Sequence, residues 1–155
     1  MVESAVKIAW TGPAARYSLR ARTPQALTKV IDRKVPLRIG ETVDGVGCLG
    51  PDEWYALLPA GTELGTGPGL PVSVTDISSR AVGITVEGPR AAEVIGAGCP
   101  QDLAAIKVGS VCRTVFETVE MVLWRTGEES FHVEVWRSFS PWMWTALNAA
   151  AADLR

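Results

Sequence analysis

The stretch VCRTVFETVEMVLWRTGEESFHVEVWR, residues 111–137, decides the fold class. It reads as three successive strands, VCRTVFE (111–117), VEMVLWR (119–125) and FHVEVWR (131–137), set off by short polar turns. The turn Thr126-Gly127-Glu128-Glu129 permits two registers. Pairing Arg125 with Ser130 sets Leu123 against His132 and mixes core with solvent faces. A slip by one sets Leu123 against Val133 and Met121 against Val135, so the apolar pattern selects the second register. That register gathers Trp124, His132, Glu134 and Trp136 on the other, more polar face.

Working outward, Ser140-Pro141 reads as the cap of a terminal helix running to about Leu154. Upstream, VSVTD (72–76) and AVGITVE (81–87) are strands, and Gly88-Pro89 opens a helix, RAAEVIGAG, that ends at Cys99-Pro100. Near the start, ARYSLRAR (15–22) alternates cleanly. Ala15, Tyr17, Leu19 and Ala21 share one face, and Arg16, Ser18, Arg20 and Arg22 the other. Thr23-Pro24 then supplies an N-cap and a first-turn proline. Leu27, Val30 and Ile31 form the stripe of a helix that ends before Pro36. Strands follow near VGCLG and WYALLP, around the turn Gly50-Pro51-Asp52. Between residues 59 and 71, PAGTELGTGPGLP has no periodicity and reads as a link between subdomains. Runs of strands with few crossover helices indicate an α+β fold of two small subdomains, with antiparallel sheets and helices packed on one side. The expected division is residues 1–60, a linker over 61–71, and residues 72–155.

The totals narrow the function. A chain of 155 residues with 47% apolar and 21% charged residues is an ordinary globular chain. The three cysteines, Cys48, Cys99 and Cys112, are widely spaced and lack a C-x-x-C pair, which suits a reducing compartment and buried thiols. The start MVESAVKIAW lacks a signal-peptide pattern, and no apolar run is long enough for a bilayer. A cytoplasmic protein without membrane attachment is therefore expected. The net charge of −2 is uneven. Residues 1–40 carry eight Lys/Arg and two acids, the remainder seven Lys/Arg and fifteen acids. The basic end could steer toward an acidic partner or pair with the rest of the fold. Nucleic acid is not expected as a partner of an acidic molecule.

Catalytic patterns are scarce. His132 is the sole histidine, so neither a His-based metal cluster nor a Ser-His-Asp arrangement can be assembled. It reads as a solvated or interface side chain. Glu117 and Glu120 lie along a strand without a partner for acid–base work and read as solvent-facing. TGPG (66–69) lacks the Lys-Ser/Thr of a phosphate loop. No catalytic, cofactor-binding or metal-binding residue is predicted. The stripe of Arg16, Arg20 and Arg22 fits a solvated sheet face, or a landing surface for an anionic ligand or acidic protein. Six tryptophans are many for this length. On the terminal helix, Met143, Ala146, Leu147, Ala150, Ala151 and Leu154 form one apolar face, while Trp142 and Trp144 lie about 200° apart on its flanks. Together with Trp124 and Trp136, these indoles are predicted to include contacts with another chain; a second packed layer within the subunit is the alternative.

The segment TDISSRAVGITVEGPRAAEVIGAGCPQDL (75–103) resembles the first domain of the glycine-cleavage T-protein family, through Asp76-x-Ser78, the strand, Gly88-Pro89 and Asp102. Joined with CLGPDEWYALLP and VLWRTGEESFHVEVWRSFSPWMWTAL, it resembles the gamma subunits of heterotetrameric sarcosine oxidase over nearly the whole chain. The resemblance implies a T-protein-like fold and a non-catalytic subunit supporting assembly of a complex that demethylates sarcosine oxidatively to glycine. It also implies alpha, beta and delta subunits as partners, with FAD, FMN, NAD and tetrahydrofolate held on them. The T-protein family carries Gly-Gly and an aspartate pair in the region that here reads TVFETVEMVLWR, which has neither. A stand-alone folate-binding or one-carbon-transfer protein of the T-protein type is the second reading, and a structural adaptor unrelated to flavin enzymes is the third.

Overall fold

Alternation along the strands builds two separate sheets. The computed structural model describes residues 5–154; residues 1–4 and 155, the outer ends of the two expected subdomains, lie outside the described residues. In chain order come β1 (Lys7–Trp10), β2 (Ala14–Ala21), α1 (Pro24–Ile31), β3 (Thr42–Val43), β4 (Val46–Gly50), β5 (Glu53–Pro59) and β6 (Val72–Asp76). There follow β7 (Ala81–Glu87), α2 (Ala91–Gly96), β8 (Val111–Phe116), β9 (Val119–Gly127), β10 (Ser130–Trp136), a 3-10 turn (Arg137–Phe139) and α3 (Ser140–Asp153). The architecture is α+β with two five-stranded sheets, ordered β1-β7-β10-β9-β8 and β3-β4-β5-β2-β6. The paired strands run antiparallel.

The chain divides into Met1–Gly12 with Arg80–Arg155, and Pro13–Ser79, which corrects the boundaries expected near residues 60 and 72. The reason is pairing. β1 bonds along the edge of β7, from Lys7 opposite Glu87 to Trp10 opposite Ile84, so the first strand belongs with the last ones. Conversely, β6 pairs with β2, so the Gly/Pro stretch before it lies inside the second unit. That stretch is irregular but packed. Tyr17 donates its hydroxyl proton to the Thr62 carbonyl at 2.9 Å. Gly67 approaches Val30 of α1 so closely that a Cβ would sit 2.6 Å from Cγ2. It is a strap across the unit rather than a linker between units.

In the Pro13–Ser79 unit, Ala15, Tyr17, Leu19 and Ala21 of β2 meet Leu27 and Ile31 of α1 and Trp54, Ala56 and Leu58 of β5. The helix begins as its sequence demands: Thr23 Oγ1 accepts the Ala26 N–H at 3.3 Å, with Pro24 in the first turn. In the other unit, Ile84 and Val86 of β7, Phe131, Val133 and Val135 of β10, and Met121 and Leu123 of β9 pack against α2 and against Met143 and Leu147 of α3. Leu123 stands opposite Val133, the register that the apolar pattern selects. The extra residue is absorbed by an irregularity between Ser130 and Phe131. At the same turn, Arg125 donates to the carbonyls of Ile106 at 2.6 Å, Leu103 at 3.2 Å and Glu128 at 3.0 Å, fastening the segment before β8. α3 differs from expectation at its start. Ser140 is its first residue, not its cap, and its hydroxyl donates to the Arg137 carbonyl at 2.8 Å. No described helix is long and apolar enough to cross a membrane.

Candidate interaction surface

The sequence singled out four indoles, and the fold sends them to three environments. Trp142, in the first turn of α3, is 39% exposed and meets the Phe116 ring edge-on at 6.5 Å. Trp136, at the end of β10, is 38% exposed. Trp144 is half-buried, because Trp10 at the end of β1 stacks on it at 4.7 Å with an interplanar angle of 12°. Trp124 is buried, at 7% exposure. Val111 and Val122 share its face and are buried with it. The polar reading of that face is thus corrected: it is a packed layer within the chain, and Trp124 leaves the set of interface candidates. Two exposed aromatics were missed. Trp10 is 46% exposed and Phe139 is 50% exposed. β1 is only four residues long, too short for alternation to reveal it. Trp10, Trp136, Phe139 and Trp142 therefore leave several large aromatic groups of one unit open to solvent, where a subunit contact would use them.

The arginine stripe does not survive as a basic row. Arg16 is 4% exposed. Arg20 is held by Asp52 at 3.3 Å and Glu53 at 3.2 Å. Arg22 lies beyond the end of β2, exposed to solvent. Alternation placed Arg16 and Arg20 on one face of β2 correctly, but that face is closed at Arg16 and neutralised at Arg20, and the strand ends before Arg22.

His132 also differs from its solvated reading. Its Nε2 lies 2.6 Å from Oε1 of Glu134, which is almost fully buried. Gly83 makes room for the ring, since a Cβ there would stand 2.8 Å from it. Glu117 sits in the β8–β9 turn with φ 53°, and Glu120 reaches Arg113 at 3.5 Å. Among the described residues, no group of three His, Cys, Asp or Glu side chains could hold a metal ion.

Cys48 and Cys99 are buried and Cys112 is half-buried; all three are free thiols. Burial pushes the Cys48 thiol above its ordinary range, and burial followed by repulsion from Cys99 does the same for Cys112. A raised thiol pKa favours the protonated fold, so this stabilisation is present below the unfolded pKa and is lost as pH rises through the folded one. At pH 8 the native chain should therefore react with a disulfide reagent far more slowly than the urea-unfolded chain. Equal rates for the two forms would show that the thiols are accessible.

The motif residues serve the fold. Asp76 Oδ1 accepts the Ser78 N–H at 2.8 Å, and its hydrogen bonding to Ser78 holds the carboxyl below the ordinary range. Ser78 Oγ in turn accepts the Arg16 N–H at 2.9 Å. Asp102 Oδ1 accepts the Ala104 N–H at 3.2 Å. Gly88 adopts φ 128° and donates its N–H to the Glu129 carbonyl at 2.8 Å. These residues form turns and close approaches, not a reaction centre. With that geometry in view, residues 11–153 match the sarcosine oxidase, gamma subunit family. The chain belongs to that family.

The sarcosine oxidase gamma subunit of Corynebacterium sp. (strain P-1) is 31% identical over 147 residues, covering 83% of this chain and 71% of that protein. The gamma subunit from Arthrobacter sp. is 32% identical over 120 residues, covering 70% of this chain and 59% of that protein. Among solved structures, a chain of the heterotetrameric sarcosine oxidase from Corynebacterium sp. U-96 superposes with a TM-score of 0.87 at 28% identity, covering 99% of this chain and 87% of that one. The glycine cleavage aminomethyltransferase T of Bartonella henselae shares the fold, with a TM-score of 0.70 at 13% identity over 93% of this chain and 45% of that one. The β8–β9 segment of this chain, residues 111–127, carries no aspartate, and its Glu120 pairs with Arg113 at 3.5 Å on the surface.

Proposed function

We propose that this chain is the gamma subunit of a heterotetrameric sarcosine oxidase and that its task is to support assembly of the complex. The family match across residues 11–153 carries the reading. On this reading the partners are the alpha, beta and delta subunits. FAD, FMN, NAD and tetrahydrofolate reside on them, and the assembly works in the cytoplasm, converting sarcosine to glycine by oxidative demethylation. Docking runs through the exposed aromatics, with Trp142 and Trp136 foremost. A desolvated indole at an interface contributes about 2 kcal/mol or more.

Alanine substitution separates anchors from packing. Trp142→Ala should weaken capture of the flavin-bearing subunits by at least tenfold, equivalent to about 1.4 kcal/mol, while the free chain keeps its melting temperature. Trp144→Ala should instead lower the melting temperature, because the indole is stacked and half-buried. Co-purification of the tagged wild-type chain with flavin-containing subunits tests the assignment itself. A wild-type chain that binds folate alone and captures no flavoprotein would favour a one-carbon-transfer protein instead.

A further inference from the structure

The loop after α1 carries a second feature, in the Pro13–Ser79 unit. Leu37 and Ile39 are 68% and 63% exposed, the two most exposed large apolar side chains among the described residues. The loop presenting them is fixed on both sides. Before the tip, Val35 is buried in the core, and the Trp54 indole N–H donates to the Pro36 carbonyl at 2.9 Å in a buried bond. After it, the Glu41 N–H bonds to the Arg38 carbonyl at 3.1 Å, closing a turn in which Gly40 takes φ 92°. The Gly40 N–H donates to the Cys48 carbonyl at 2.8 Å, and the Cys48 N–H to the Glu41 carbonyl at 3.0 Å. Two branched aliphatic groups are thereby held out in water on a pinned backbone.

A tip built this way loses little conformational freedom on docking, which is the property that makes an interface strong for its area. Its surroundings indicate the partner's charge. Arg33, Lys34 and Arg38 lie within the same loop, residues 32–41, which also holds Asp32 and Glu41. The loop is cationic by one charge, with Lys34 and Arg38 flanking the tip, on a molecule whose net charge is −2. The complement of an aliphatic tip among cations is an apolar groove rimmed by Asp and Glu, since opposite potentials speed encounter and fix register. A bilayer surface would accept the same chemistry, but for a chain of the gamma-subunit family the surfaces at hand are those of the complex's other subunits.

We propose that the Leu37–Ile39 tip inserts into an acid-rimmed apolar groove of a partner subunit. This inference rests on the gamma-subunit reading above. It is tested by co-expressing wild-type and variant chains, carrying different tags, with the partner subunits, and reading by intact mass which chain enters the complex. The double variant Leu37→Ser/Ile39→Ser leaves every backbone anchor in place. It should enter at about one-tenth of the wild-type level or less while melting at the wild-type temperature as a free chain. Lys34→Glu/Arg38→Glu should also enter poorly, by repulsion from the acidic rim.

Equal incorporation of Leu37→Ser/Ile39→Ser and wild type would overturn the inference and leave the gamma-subunit reading intact. Failure of the wild-type chain to enter any complex would instead remove that reading, and this inference with it. A free double variant that melts well below wild type would show that the tip serves the fold. Two further results would reassign the surface: binding of the free wild-type chain to anionic phosphatidylserine vesicles that the double variant loses, or a wild-type dimer in sedimentation that the double variant converts to monomer.

Discussion

Replacing Trp54 by alanine should remove roughly 3–5 kcal/mol from the unfolding free energy, a large share of the stability of a small domain. The indole is 1% exposed and sits in the core with Leu27, Ile31, Ala56 and Leu58. Its N–H also holds the Pro36 carbonyl. Truncation therefore opens a cavity and leaves a buried acceptor without its donor. Trp54→Phe divides the two effects, keeping much of the apolar volume while losing the hydrogen bond, at a cost of about 1–3 kcal/mol. Urea unfolding followed by far-ultraviolet circular dichroism measures both. A loss under about 1 kcal/mol for the alanine variant would mean that the core closes without the indole. Because Pro36 anchors the loop that presents Leu37 and Ile39, Trp54→Phe should also weaken assembly more than its stability loss alone accounts for.

The second large effect falls on Gly88. With φ 128° it occupies backbone space that side chains rarely enter. A Cβ there would press into the Ala5 carbonyl oxygen and stand 3.2 Å from Val6 Cα. These are backbone atoms next to β1, which cannot rotate aside. Gly88→Ala should cost roughly 2–4 kcal/mol, combining backbone strain with forced separation of neighbouring chain segments. Gly69→Ala is the control. Gly69 also has positive φ, at 78°, but nothing lies within 4 Å of an added Cβ, so it should lose only the strain, about 1–2 kcal/mol. Equal losses at the two positions would show that the approach of the segment before β1 to Gly88 contributes nothing.

Local pattern alone reached far into this molecule. Alternation located β2, β7, β9 and β10, and the cost of turning every side chain over chose the Leu123–Val133 register. Thr23-Pro24 marked the start of α1 because capping is settled within four residues. The motif residues from Asp76 to Asp102, with the tryptophan-rich end, pointed to the family before any fold was in view. Each of these is a short-range property, written in neighbours along the chain.

What the sequence could not fix depends on which face meets which neighbour. β1 joins the sheet of the last strands because an edge of β7 accepts it, a pairing across some 75 residues that four residues of pattern cannot announce. Alternation put Arg16 and Arg20 on one face and Trp124, His132 and Glu134 on another, and correctly so, although β2 ends before Arg22. It could not say that both faces contain buried positions, because alternation separates two sides without stating how much water reaches either. Val111 and Val122 beside Trp124 were the one compositional hint that the second face was packed. The exposed aromatics and the pinned Leu37–Ile39 tip belong to the same class: exposure is a property of the assembled surface. The sequence by itself determined the longer strands, the helices, the Leu123–Val133 register and the family; only the tertiary structure decided where the short strand β1 pairs, where the two units divide and which side chains remain in water, because these follow from pairings between residues far apart in the chain.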